Sequence, residues 1–396
     1  MSISPLCTSQ ERRLDFEWMK PLPGQNFWDR ASWVREHYAK GKYRRFFAFF
    51  VDGIGYSMLK FLQQIYADEL AWIEKGQLEA ISSLYPSTTS VHVPAFLGGA
   101  LPEQTGVVEW WYYEPLIETL LSPLKLKRRD GKEEGEELAQ KIYQPLLSWP
   151  QGPKRVLWQE SSYSYSPVTR HLAGGFELMG YEVLEDLAQK IREKTQEEEV
   201  QFHVVYLPQA DTMSHRMGPD HPRTLEVWRD IFNFIRALLL DHEGADTCFI
   251  SDHGQSSVNP EQTIYLNHHM PGLKEAFLKD DKGKILTPAG SCRNMLLYLE
   301  KSKVAEWKPK LEAFLGSKAQ IFTKETLINE GFFLSNPSGR FYKTFPELVI
   351  MPRLGESVWW DEGKPIDVRS QHGGASRQEM EVPFWRLLNS RISFEG

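Results

Sequence analysis

The apolar pattern of this chain alternates between strand-like runs and helix-like spacing. Residues Arg45 to Val51 (RFFAFFV) form a nearly continuous apolar run that ends in Asp52-Gly-Ile-Gly55. Such a run, closed by an acid, reads as a parallel strand buried on both faces. From Ser57 to Lys75, Leu59, Leu62, Ile65, Leu70 and Ile73 recur at roughly helical spacing and predict a helix. Leu78 to Leu84 predicts the next strand, stopped at Tyr85-Pro86, and Arg155 to Trp158 a third. Tyr181 to Glu197 carries Leu184, Leu187, Ala188 and Ile191 on one face and predicts an amphipathic helix. Phe202 to Leu207 predicts a strand leading to Asp211. Leu225, Trp228, Ile231, Phe232, Ile235 and Leu239 mark another helix, and Thr247 to Ser251 a strand ending at Asp252.

This alternation predicts a doubly wound α/β fold: a mostly parallel central sheet with helices on both faces. Ligands of such sheets gather beyond the carboxyl ends of the strands, where Asp52, Asp211 and Asp252 fall. Two stretches break the rhythm. Glu109 to Gln151 is aromatic, then charged, and reads as a lid excursion within the core. Residues 258–370 have their own candidates, strands at Met295 to Leu299 and Glu347 to Met351 and a helix from Val304 to Leu315. They predict a smaller inserted cap. The catalytic core is then expected from 40–257 together with 371–396.

Composition narrows the function classes. With 396 residues the chain can bury a large core, and 13% aromatic content argues against disorder. A net charge of −7 argues against a broad basic surface, so no stable nucleic-acid complex is expected. It leaves room for a small phosphorylated substrate, because bound metal ions supply positive charge locally. The three cysteines, Cys7, Cys248 and Cys292, have no paired spacing, which fits a reducing compartment. The N-terminus lacks a signal-peptide pattern, and no apolar run approaches the ~18 residues of a spanning helix. A cytoplasmic protein with no membrane association is expected.

The candidate chemistry lies in four acid/histidine segments. They are Asp52-Gly53, Asp211-Thr-Met-Ser-His215, Asp252-His253-Gly254 and His372-Gly-Gly374. Together they offer three Asp and three His, enough for two divalent transition-metal ions. Alone, Asp211-x-x-x-His215 would read as a solvated acid and an incidental His. Here it follows an apolar strand, and helical spacing would put both side chains on one face. Asp252-His253-Gly254 alone would read as a strand-terminal turn, and His372-Gly-Gly374 as an ordinary glycine-rich loop. Glycines beside ligands let the backbone approach a metal or phosphate closely. Pro86-Ser-Thr-Thr89 offers three hydroxyls in a row, either a helix N-cap cluster or the source of a nucleophile, and chemistry does not choose among them.

In this order the segments resemble the alkaline phosphatase superfamily, and within it the type I phosphodiesterase/nucleotide pyrophosphatase branch. Pro86-Ser-Thr-Thr89 and Leu97-Gly-Gly-Ala-Leu-Pro-Glu-Gln-Thr-Gly106-Val-Val108 belong to the same resemblance. It implies that Asp211, His215 and His372 hold one metal. It also implies that Asp52, Asp252 and His253 hold a second, joined by Thr89 as nucleophile. Zinc is the usual occupant in that family, and manganese or iron would also fit O/N ligands. The implied reaction is hydrolysis of a phosphodiester or pyrophosphate through a covalent phospho-threonine.

One place departs from the family pattern. Members of the branch often carry an Asn shortly after the Gly-Val-Val-like stretch, where it contacts a phosphoryl oxygen. Here Glu109-Trp110-Trp111 stands there. Trp110 and Trp111 are candidates to stack on a planar group of the substrate, or else pack the core. His92 is a candidate to replace the missing donor, or else a buried structural histidine. Two alternatives stay open. One is another reaction of the superfamily: monoester hydrolysis, phosphonate hydrolysis or phosphoryl transfer. The other is a catalytically idle, metal-stabilised binding module, which would have no need of Thr89.

Overall fold

A computed structural model of the chain describes residues 18–197, 200–280 and 282–389. Cys7 and the polar segment before Trp18 lie outside the described residues. The central sheet has seven strands: β1 (Phe46–Val51), β2 (Gln77–Ser82), β3 (Lys154–Glu160), β4 (Glu177–Tyr181), β5 (Val200–Leu207), β6 (Asp246–Ile250) and β7 (Glu381–Leu387). Their order is β2-β7-β6-β1-β5-β3-β4. Pairing is parallel from β6 to β4, and β7 runs antiparallel to both β2 and β6.

Helices cover both faces, which explains the continuous apolar run at the centre. Side chains alternate along β1, so Phe46, Ala48 and Phe50 pack toward α1 (Phe27–Lys40) while Phe47, Phe49 and Val51 face the other way, toward α2 (Tyr56–Ile65). The first face also meets α3 (Thr89–Gly98) through Val91, Ala95 and Phe96. The second meets α2 through Leu59 and Leu62, α4 (Leu184–Lys194) through Leu187 and Ile191, and α6 (Pro222–Asp241) through Trp228 and Ile231. Burying each Phe of β1 contributes about 1.5–3 kcal/mol, so this strand is a firmly anchored position from which to project a side chain. Between α4 and α6 lies α5 (Gln209–Met217).

Several elements differ from the sequence reading. The helix expected over Ser57 to Lys75 breaks at Tyr66 (φ −122°, ψ 45°), giving α2, one turn at Ala67–Leu70 and a 3-10 turn at Ala71–Lys75. The break re-aims Leu70, Trp72 and Ile73 into the core. The helix expected from Tyr181 begins only at Leu184, because Tyr181 closes the edge strand β4. Among the elements that carry no signal in the periodicity reading are α1, β4 and β7. The first is set by caps at both ends, a reciprocal Asn26/Asp29 capping box and Gly41 at φ +58°. Pro383 disguises β7, yet it stands just past the last ladder pair with β6, Phe384 opposite Ile250. There its carbonyl still accepts from Ser251 N, and only the return bond of that terminal pair is forgone.

Within 258–370 lies a four-stranded antiparallel sheet in the order Ala289–Ser291, Asn294–Leu297, Leu348–Pro352, Ala319–Thr323. The helix Lys301–Leu315 packs on it through Trp307, Leu311 and Leu315. Within 109–151, three short antiparallel strands (Tyr112–Glu114, Thr119–Ser122, Lys127–Arg128) form a small sheet. Among the described residues no helix is long and apolar enough to cross a membrane.

Candidate metal centre and cleft

Three central strands deliver acids to one place. β1 runs into Asp52, and β6 into Asp252 and His253. Through Pro208, β5 leads into α5, where Asp211 and His215 lie one turn apart on one face. His372 follows the short strand Ser370–Gln371, which pairs antiparallel with Ser256–Ser257. That pairing returns the chain, after more than a hundred residues, to the loop that carries Asp252 and His253. Thr89 opens α3 beside them.

The side chains converge. The Thr89 hydroxyl lies 3.1 Å from His253 Nε2 and 3.5 Å from Asp52 Oδ1. His253 Nε2 lies 3.4 Å from Asp52 Oδ1 and 3.4 Å from Asp252 Oδ2. His215 Nε2 is 3.4 Å from Asp211 Oδ2, and His372 Nε2 is 4.0 Å from Asp211 Oδ1. Two sets have donor atoms within 4.8 Å of one another: Asp211, His215 and His372, and Asp52, Asp211 and His253. Asp211 belongs to both, a sharing the expected triads do not contain. The rings of His253 and His372 stack at 3.6 Å between centroids.

One hydrogen-bond pattern recurs at every member. Each His ring gives its Nδ1–H to a backbone carbonyl: His215 to Ser370 at 2.9 Å, His253 to Gly254 at 3.1 Å and His372 to Ser87 at 2.9 Å. A carbonyl cannot donate, so Nδ1 carries the proton and each Nε2 presents a lone pair inwards. The carboxylates divide in the same way. Asp252 Oδ1 accepts from the Gly53 and His253 amides, while its Oδ2 is buried with no hydrogen-bond partner. Tyr206 donates to Asp52 Oδ2, leaving Oδ1 on the Thr89 side. Gln255 donates to Asp211 Oδ1.

Electrostatics point to a cation. Burial, reinforced by the Asp252 and Asp211 charges, holds Asp52 well above the usual carboxylate range. Burial, with Asp211 adding to it, pushes Asp252 up to about 7. Burial would raise Asp211 too, but His215 and His372 beside it outweigh that and lower it. Burial also holds His253 and His372 well below their ordinary value, in the neutral form that binds metals. Three crowded carboxylates, an orphaned buried oxygen and inward lone pairs fit a set of O/N donors for divalent transition metals.

The hydroxyl row resolves by geometry. Ser87 Oγ donates to the Gly374 carbonyl and accepts from Gly373 N. Thr88 Oγ1 is buried without a partner. Only Thr89 of the three turns toward Asp52 and His253. Two of the neighbouring glycines are required by close approaches within the protein. Gly373, at φ +112°, lets Glu109 and Ser291 close in: an added Cβ would meet them at 2.5 and 2.8 Å. At Gly254 a Cβ would sit 1.9 Å from the Gln378 carbonyl. Both make room for protein rather than for a ligand.

Above this floor opens a cleft of about 650 Å³, walled in part by Trp110, Trp111, Leu124, Val168, Trp359 and Val368. Trp110 and Trp111 are half-buried cleft residues, with the Lys125 ammonium 5.5 Å from one ring centre and the Arg129 guanidinium 5.2 Å from the other. Trp360, next to Trp359, turns inward instead and packs edge-on against Phe277. His92 does not reach the cleft. Its Nε2 accepts from Leu84 N at 3.0 Å, its Nδ1 donates to Thr88 O at 2.8 Å, and the ring is fully buried. The expectation of a substrate contact there gives way to a structural histidine. Glu109 is equally buried, its carboxyl bonded by Trp110 N and Asn294, and burial pushes it up to about 8.

Motif reading missed the side chains that hold these groups in place. Tyr206 lies in a strand read only for its apolar residues, Gln255 follows Asp252-His-Gly directly, and Ser291 donates to the His372 carbonyl at 2.9 Å from inside the inserted region. A buried ion pair, Arg293 with Glu379 at 2.8 Å, ties that region to the His372 loop, since Glu379 Oε1 accepts from Gly374 N. Single polar residues of this kind carry no spacing signal.

The family described as type I phosphodiesterase / nucleotide pyrophosphatase matches residues 47–375, and the chain belongs to that family. No curated protein matches the sequence. Murine ectonucleotide pyrophosphatase / phosphodiesterase 5 shares the fold with a TM-score of 0.62 at 16% identity, covering 86% of this chain and 87% of that one. The human protein of that name gives 0.63 at 15%, covering 86% and 87%. An inactive form of the murine protein, in complex with AMP, gives 0.63 at 14%, covering 87% and 88%.

Proposed function

We propose that this member of the type I phosphodiesterase / nucleotide pyrophosphatase family is a two-metal phosphohydrolase acting on phosphodiester or pyrophosphate bonds through a covalent phospho-threonine. The observation that carries the reading is Thr89: a hydroxyl at the first turn of α3, 3.1 Å from His253 Nε2, among inward-facing Asp and His groups. Asp211, His215 and His372 would hold one ion. Asp52, Asp252 and His253, with Thr89, would hold the other. Bound there, the ions would supply Lewis-acid charge that favours the Thr89 alkoxide and offsets charge on the phosphoryl oxygens.

The chain's own groups do the rest. The amide groups and dipole at the start of α3 favour a phosphoryl group beside Thr89. The Thr89 oxygen bonds to phosphorus as the bond to the leaving oxygen breaks, and the leaving group departs with a proton to replace the one Thr89 gave up. Water then attacks the phospho-threonine, which restores the hydroxyl and releases a phosphomonoester. The wall formed by Trp110 and Trp111 suits a planar leaving group, and a nucleotide is one such substrate.

A metal-supplemented panel of diesters, dinucleotides, monoesters and phosphonates tests this reading. Bis-p-nitrophenyl phosphate should turn over faster than the p-nitrophenyl monoester. A clear preference for the monoester would remove the diesterase assignment.

A further inference from the structure

We infer that Gln255 and Ser370 form a positioning pair for one of the two ions, the one assigned to Asp211, His215 and His372; the inference rests on the two-metal reading above. Gln255 is 8% exposed and Ser370 fully buried. Gln255 Nε2 donates to Asp211 Oδ1, and Gln255 Oε1 accepts from Ser370 Oγ at 2.8 Å. The Ser370 carbonyl in turn accepts from His215 Nδ1 at 2.9 Å. His215 Nε2 then faces Asp211 Oδ2 at 3.4 Å, which closes the circuit.

That circuit fixes two donors with one unit. The Gln255 amide has a single workable orientation, because turning it over would set its oxygen against the Asp211 carboxylate. Ser370 uses its hydroxyl to hold Gln255 and its carbonyl to hold His215. Asp211 and His215 belong to α5, Gln255 follows β6, and Ser370 opens the short strand that carries His372. The Arg369 amide, donating to the His215 carbonyl at 2.7 Å, keeps that strand against α5. The outer oxygens of the other carboxylates are held differently, Asp52 by Tyr206 and Asp252 by backbone amides. Gln255 bonds to neither. Asp211 lies within reach of both donor sets, but His215 and His372 of only one, so loss of the pair should weaken the ion assigned to them more than the other, which a general loss of packing would not do.

The test is Zn2+ titration of the metal-stripped full chain against a chromophoric chelator, alongside far-UV circular dichroism. Wild-type protein should bind two equivalents. Gln255→Met should bind one equivalent about 10- to 100-fold more weakly and the other with a clearly smaller loss. Ser370→Ala, which keeps the carbonyl, should weaken the same equivalent by less. Tyr206→Phe should weaken the opposite one. Folded Gln255→Met that binds both equivalents as wild type does, or loses both equally, overturns the inference. Should Gln255→Met fail to fold, Ser370→Ala decides by the same criterion. Wild-type protein that takes up no metal overturns the two-metal reading and this inference together. Activity gives a second readout: excess Zn2+ should rescue Gln255→Met but not Thr89→Ala.

Discussion

On the floor of the cleft, each histidine has one ring nitrogen held by the backbone and the other turned inward, and each carboxylate has an oxygen held by a protein donor. On the wall above it, Trp110 and Trp111 stand half-exposed, with Lys125 and Arg129 against their rings. The floor projects from the ends of a sheet whose central strand is covered on both faces. The wall projects from an excursion of three short strands. On the proposed function, chemistry that depends on sub-ångström placement would be built on the rigid part, and recognition of a leaving group on the part that can vary without disturbing it.

The largest effect that would break this division is at the floor. Thr89→Ala should lower turnover of bis-p-nitrophenyl phosphate by more than about 10⁴-fold with both ions retained. Undiminished turnover would mean that another group is the nucleophile. Next comes the ion pair that ties residues 258–370 to the His372 loop of the floor. Arg293→Met leaves Glu379 buried and uncompensated, and should cost about 3–5 kcal/mol in chemical denaturation. If Arg293→Met with Glu379→Met recovers most of that loss, the charge, and not the packing, explains it.

A third measurement concerns the rigidity of the sheet beneath the floor. Burial lowers His203, on β5, from 6.5 to about 3. The unfolded chain therefore takes up a proton that the fold excludes, and stability is lost as pH falls below 6.5 toward the folded value. His203 should account for about 2 kcal/mol of that loss between pH 6.5 and 5. Denaturation midpoints of His203→Gln should be correspondingly less sensitive to pH; an unchanged slope would show that His203 is protonated in the fold.

The smallest effect belongs to the wall. Trp111→Ala should raise KM for an aromatic leaving group by about 2- to 10-fold, with kcat nearly unchanged. A matching fall in kcat would mean that wall and floor are not separable.

How much of this is legible in the sequence follows from how far each feature reaches along the chain. The run RFFAFFV announces a strand buried on both faces because each of its residues meets a covered face, and the acid after it falls at the strand's end. The same logic reveals β5 and β6, and with them Asp211 and Asp252. It cannot reveal β7, whose Pro383 is acceptable because it stands past the end of the ladder with β6. Nor can it assign the roles of neighbours. Thr88 and Thr89 are identical residues, but only Thr89 turns to His253, and His92 lies three residues on yet faces backbone groups.

The sequence by itself determined the donor chemistry: which Asp and His groups exist, on what strand ends, beside which hydroxyls. Those properties are local, set by residue type and by the two- and 3.6-residue periods. The tertiary structure alone decided that Asp211 stands between both groups of donors, that Gln255 and Ser370 hold it, and that the glycines make room for protein. Each of these depends on contacts between residues tens to hundreds of positions apart, where spacing along the chain carries no information about distance in space.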